Sequence, residues 1–280
     1  NGVKCCECIW FLFMEDISTH SLVVALMLTL VAGMGTGVGA LLSLLPQARE
    51  TRFLAGALGF SAGVMLYVSF LDLMPQALAD LGEIYESRLA DIYCVLAFFG
   101  GIALIALIDF LVPEEDNPHE YNHVEHPVAP ASRSGRTGIM LALAIGIHNF
   151  PEGMATFISA LDGVTVAIPI VVAITLHNIP EGIAVSVPVY NATGSRRKAL
   201  VWSIISGLAE PLGAVVGMLF LLPLWTPMIN AILLAGVAGV MVYISLDELL
   251  PGAESYGHHH ITVTFLILGM ALMAASMLMA

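Results

Sequence analysis

The sequence predicts an all-α membrane protein, a polytopic bundle of eight transmembrane helices with an inverted repeat, and three observations carry that prediction. The 280 residues are 58% hydrophobic and 11% charged, with a mean hydropathy of +0.90, whereas soluble domains carry roughly 25% charged residues. Apolar runs of about 20 residues, the length that crosses a bilayer as helix, recur near 20–45, 53–79, 92–112, 137–160, 164–190, 199–222, 228–250 and 261–280. A barrel strand would need only about ten residues and would alternate apolar with polar. Finally, AGVMLYVSFLDLMP at 62–75 returns as AGVMVYISLDELLP at 238–251, identical at eight of fourteen positions with a constant offset of 176.

Basic residues orient these spans, because short cytoplasmic loops collect Lys and Arg. Arg49 and Arg52 lie between spans 1 and 2, Arg133 and Arg136 between 3 and 4, and Arg196, Arg197 and Lys198 between 5 and 6. Only Lys4 and Arg88 fall on the other side, so both termini are expected outside the cytoplasm. With that orientation the second span runs outward and the seventh inward. Spans 1–3 are then mirrored by spans 6–8 around the pair 4 and 5, as in inverted-repeat transporters.

Taken in order, residues 1–19 form an extracytoplasmic N-terminal segment and 20–280 the eight-helix unit. Residues 1–13 resemble neither a signal peptide nor a span, which makes Met14 the expected natural start. Cys5, Cys6 and Cys8 in CCEC are too few to close a metal site alone, and with Cys94 they make no disulfide scaffold. In span 1, Gly35 and Gly39 form a small-xxx-small face for close helix contact. The one long polar loop, 113–136, is read as a cytoplasmic linker. Its His119, His123 and His126, with Glu114, Glu115, Asp116 and Glu125, offer loose cation ligands. The triplet His258, His259 and His260 also falls on the cytoplasmic side, with its role open. A net charge of −13 excludes a nucleic-acid partner.

Spans 4 and 5 each carry one phrase, HNFPEG at 148–153 and HNIPEG at 177–182. On a helix the His and Glu of each copy stand four apart and share a face, a ligand pair. Pro151 and Pro180 have no N–H for the carbonyls of Ile147 and Leu176, so those oxygens are released beside Asn149 and Asn178. At 1.5 Å per residue His148 lies about 16 Å beyond Thr137, near the middle of a roughly 30 Å core. His177 and the Glu210 of GLAEPLG fall at the same depth. An ionisable residue there costs roughly 2.5 to 3.5 kcal/mol on insertion scales, so such groups must face one another or a wet cavity. The candidate cation ligands are therefore His148, Asn149, Glu152, His177, Asn178, Glu181 and Glu210. Imidazole with carboxylate accepts Zn, Fe, Mn and Co, and no thiolate favours a softer ion.

Asp72 and Glu248 occupy matched positions of the repeat, and the helix rise puts them near opposite surfaces. They are candidate carboxylates at the two mouths of a pathway; the competing reading is that they snorkel or cap helix ends near Pro75 and Pro251. Two other functional classes fit the residues less well. An intramembrane zinc hydrolase would carry HExxH, but here Asn follows each His and Glu stands fourth. An ion-coupled carrier of an organic solute seldom needs two imidazoles beside several carboxylates.

HNFPEG, HNIPEG and GLAEPLG resemble the signature of the ZIP (Zrt/Irt-like) metal-ion transporters, and the stretch from 177 through VYNATGSRRKALVWSIISGLAEPLG is especially similar to the bacterial branch of that family. The likeness covers roughly 20–280. It implies an eight-helix fold in the cell (inner) membrane with outward termini, and uptake of divalent metal into the cytoplasm. Zinc would be the first substrate, with Fe2+, Mn2+, Co2+ or Cd2+ also accepted, and there would be no catalytic cofactor and no enzymatic activity. It also implies a two-metal centre: His148, Glu152, His177 and Glu181 around one ion, and Asn149, Asn178 and Glu210 around a second, with Glu152 and Glu181 bridging. ZIP proteins are similar to elevator transporters, in which one helix bundle slides against another. A homodimer, the physiological metal and the driving force are left open.

Overall fold

A computed structural model describes residues 19–111, 164–221 and 226–278, together with 146, 149–154, 156, 157 and 159–161. The N-terminal CCEC, the 113–136 loop and His148 lie outside the described residues. The described chain is helical throughout, without a strand. In chain order the helices are α1 (Thr19–Leu42), α2 (Thr51–Val68), α3 (Met74–Ile84), α4 (Ser87–Leu111), α5 (Val164–Thr193), α6 (Arg196–Gly207), α7 (Ala209–Val216), α8 (Pro227–Ile244), α9 (Leu250–Ser255) and α10 (His259–Leu278).

Seven helical stretches among the described residues are long and apolar enough to cross a membrane: His20–Leu42, Thr51–Ile84, Ser87–Phe110, Ile170–Val187, Arg196–Leu219, Pro227–Ser255 and His259–Leu278. They coincide with seven of the eight expected spans. The other, 137–160, is helical where it is described. Local chemistry sets the ends. Ser195 accepts from the Lys198 N–H to open α6, and Thr226 accepts from the Ile229 N–H ahead of Pro227 to open α8. Gly194 and Gly257, at φ 64° and 75°, turn the chain between spans where a side chain would be strained.

Pro251 closes the expected 228–250 span and Pro75 lies inside 53–79, and both helical stretches run on past them, to Ser255 and Ile84. Pro75 and Pro251 cannot donate to the preceding turn, and the helix absorbs the loss by widening into a π turn, Ser69–Leu73 in one and Ser245–Leu249 in the other. The Met74 N–H reaches the Ser69 carbonyl and the Leu250 N–H reaches that of Ser245. Ser69 Oγ donates to the Met65 carbonyl and Ser245 Oγ to that of Met241, both at 2.8 Å. The sequence repeat is thus repeated in structure, side-chain bond included. Asp72 and Glu248 sit inside these π turns, not at helix ends, so the end-capping reading of both carboxylates is corrected.

The helices pack as two groups. α1 lies along α5 and against α6 and α7, while α2 lies along α10, and α8 along α4 and α3. Glycines explain the division, because a helix without a Cβ lets another backbone touch it. A Cβ on Gly33 would stand 2.5 Å from the Gly207 carbonyl oxygen, and one on Gly35 equally close to that of Thr175. Gly39 meets Ile179, Gly153 meets Glu210 and Gly213 meets Phe150. In the second group Gly59 and Gly63 meet Thr262 and Leu266, and Gly239 meets Phe98. Among the described glycines, every such backbone contact stays within one group. Between the groups α2 faces α5 through aliphatic side chains, Leu54 clustering with Ile183 and Val187. Ser61 Oγ also donates to the His177 carbonyl across that face, at 3.4 Å.

Candidate metal centre

HNIPEG lies in the interior of α5, which continues through Pro180 to Thr193. One face of that helix therefore presents His177 and Glu181, one turn apart. Glu152 arrives from the HNFPEG segment, brought close because Gly153 lets that segment touch the backbone at Glu210. The His177 Nε2 stands 3.3 Å from Glu152 Oε2 and 3.8 Å from Glu181 Oε1. One ligand atom from each of Glu152, His177 and Glu181 lies within 4.8 Å of the others, a spacing that fits a single ion.

Beside this triad is a second layer. Asn178 Nδ2 donates to the Ala32 carbonyl of α1 at 2.9 Å and also to Glu210 Oε1, a short contact. Asn149 Nδ2 donates to the Ser206 carbonyl at 3.4 Å. Asn149, Glu152, His177, Asn178, Glu181 and Glu210 are all buried, none more than 1% exposed. Carboxylates gathered in one buried site repel one another when ionised together. Glu152 Oε1, Asn178 Oδ1 and Glu210 Oε2 have no hydrogen-bond partner among the described residues. Buried acceptor oxygens with no donor are a costly arrangement in lipid unless a cation or water meets them.

Of the seven expected ligands, Glu152, His177 and Glu181 thus converge, Asn178 and Glu210 bond each other, Asn149 bonds the Ser206 carbonyl, and His148 lies outside the described residues. Asp72 and Glu248 stand apart in their π turns. Glu248 is buried, whereas Asp72 is half-buried with Oδ2 lacking a partner among the described residues. Sequence reasoning missed the Ala32 carbonyl and Ser61, since a backbone acceptor and a lone serine carry no motif. The His triplet acquires local partners: His258 Nε2 is 2.9 Å from Thr51 Oγ1, and His259 Nδ1 is 2.9 Å from Glu254 Oε1.

A family described as ZIP Zinc transporter matches residues 16–129 and 112–277. The chain is 52% identical over 263 residues to Zinc transporter ZupT of Streptococcus mutans, covering 94% of this chain and 99% of that relative. To Zinc transporter ZupT of Chlorobium limicola it is 55% identical over 258 residues, 91% of this chain and 97% of the relative. The corresponding figures for Zinc transporter ZupT of Clostridium perfringens are 48% over 276 residues, 93% and 97%.

Proposed function

Because the chain belongs to the ZIP zinc transporter family, we propose that it carries divalent metal ions, zinc foremost, across the membrane through the buried Glu152–His177–Glu181 cluster. It is a transporter and not an enzyme; zinc is cargo, not a catalytic cofactor. The observation that carries the site assignment is the convergence of those three buried ligand groups, two of them, His177 and Glu181, in a helix apolar enough to span a bilayer. His148 is the fourth ligand of this ion by the sequence repeat. Asn149, Asn178 and Glu210 hold a second ion, with Glu152 and Glu181 shared between the two. The unpartnered oxygens of Asn178 and Glu210 support that layer.

The eighth span is 137–160, and the duplicated π turns support the inverted-repeat reading. Positive loops point inward, so the termini are outside, and the resemblance to ZIP proteins implies transport into the cytoplasm. The two glycine-joined groups, with an aliphatic face between them, suit a motion of one bundle against the other. Mixed nitrogen and oxygen ligands hold Zn2+ without excluding Fe2+, Mn2+, Co2+ or Cd2+. Vesicles containing the purified chain should accumulate zinc, with cadmium, iron and manganese competing. Vesicles no more permeable to any of these ions than protein-free ones would sink the proposal.

The division of labour between the two ions has its own test. Glu210→Gln should remove one of two bound ions and slow uptake while the ion at the imidazoles stays, measured as metal content of the purified protein. Loss of all bound metal would make Glu210 a holder of the primary ion instead.

Asp72 and Glu248 act at the outer and inner mouths. Asp72→Asn should raise the external zinc concentration needed for half-maximal uptake, because a charge that guides the ion inward is lost. Glu248→Gln should lower maximal uptake with external affinity unchanged, because it acts after translocation. The same kinetic defect in both variants, or none in either, would leave the snorkelling account standing.

A further inference from the structure

Hydroxyls buried in these spans generally bond back to their own helix, as Thr29 does to Ala25, Thr175 to Val171 and Ser245 to Met241. Ser159 and Thr262 do not, and neither do the two hydroxyls nearest the metal layer, Thr36 and Ser206. Thr36 and Ser206 are 0% and 2% exposed, yet neither hydroxyl oxygen has a hydrogen-bond partner among the described residues. A hydroxyl so placed has lost its hydration without replacement, which folded proteins correct with bound water where there is room.

Their positions relate to the metal layer. Ser206 stands one helical turn before Glu210 on the same span, and Thr36 one turn beyond Ala32, whose carbonyl takes the Asn178 amide. The two hydroxyls adjoin glycines. Thr36 Oγ1 is 3.2 Å from where a Cβ on Gly207 would stand, and Ser206 Oγ is 3.9 Å from where one on Gly146 would stand. Among the described residues the nearest atoms to that point, Ser206 Cα, Ala209 Cβ and Ser206 Oγ, stand 3.8–3.9 Å away, which leaves room for a group the size of a methyl or a water beside the Ser206 hydroxyl. Asn149, bonded to the Ser206 carbonyl, ties this layer to the candidate ligands.

We infer that Thr36 and Ser206 form a water site behind Asn178 and Glu210, whose ordered water bonds both hydroxyls and supplies exchangeable oxygen ligands to the second ion. Asn149, Asn178, Glu210 and the two shared carboxylates offer the second ion five groups, which leaves at least one position of an octahedral shell to water. Water fills the remaining positions without adding charge, so the ion stays releasable. The water site stands on the hydroxyls alone; its role as a ligand source rests on the two-ion reading.

The test begins with a structure of the full chain at a resolution that shows ordered solvent. Water density within hydrogen-bond reach of Thr36 Oγ1 and Ser206 Oγ is expected, lost in Thr36→Val and restored in Thr36→Ser. A dry layer overturns the inference. In vesicles Thr36→Val, or Ser206→Ala, should lower maximal zinc uptake about tenfold, within the range seen when groups behind metal ligands are removed. Metal held by the His177 cluster should be retained, and Thr36→Ser should restore uptake. Unchanged uptake in both variants overturns the ligand role. A wild-type chain that moves no zinc would instead overturn the transport reading, leaving the water site to be judged on density alone.

Discussion

His177→Ala is expected to lower zinc uptake by about two orders of magnitude or more, beyond what loss of a group behind the ligands costs, while the protein still inserts. The imidazole faces Glu152 at 3.3 Å and Glu181 at 3.8 Å and is the neutral ligand of the described triad. Without it two buried carboxylates face each other across a cavity, and an ion there gains charge neutralisation but too few donors to hold its geometry. Insertion survives because the substitution makes a mid-membrane residue less polar, not more. Uptake in vesicles and metal content of the purified variant are the measurements. A variant that transports and binds zinc as the wild type does would remove His177 from the pathway and, with it, the cluster as the site.

Much of this centre was legible in the sequence because its signal is local. HNFPEG and HNIPEG fix His and Glu on one helix face by spacing alone, with Asn one position round from them, and the equal depth of Glu210 follows from counting residues. The Gly35 and Gly39 face was likewise legible, and both glycines do meet α5. The prolines misled. Pro251 reads as the end of its span and Pro75 as close to the end of its own, yet the chain accommodates each with a π turn and continues to Ser255 and Ile84. A proline states which hydrogen bond is lost, but not whether neighbouring helices will hold the chain straight beyond it. Also illegible were contacts between residues far apart in sequence: Asn178 with the Ala32 carbonyl, Ser61 with that of His177, and Gly153 with Glu210. Each depends on how closely two backbones approach, which periodicity does not encode.

That closeness is testable at Gly182, the last residue of HNIPEG. It packs on the Thr36 carbonyl of α1, while Gly39 of α1 packs on Ile179 and Gly182 in return, so two glycines interlock one turn from the ligands. A Cβ at Gly182 would overlap the Thr36 carbonyl oxygen and the backbone behind it. Overpacking costs about 1 to 3 kcal/mol where side chains can yield, and here the neighbour is backbone, so α1 itself must move. Displacing α1 would also pull the Ala32 carbonyl from Asn178 and release the amide that bonds Glu210. Gly182→Val is therefore expected to lower the melting temperature of the purified protein sharply and to strip its bound zinc. Gly100→Ala should do neither, because a Cβ there meets nothing within 4 Å. A Gly182→Val protein as stable and as zinc-loaded as the wild type would mean that α1 and α5 do not meet through these glycines.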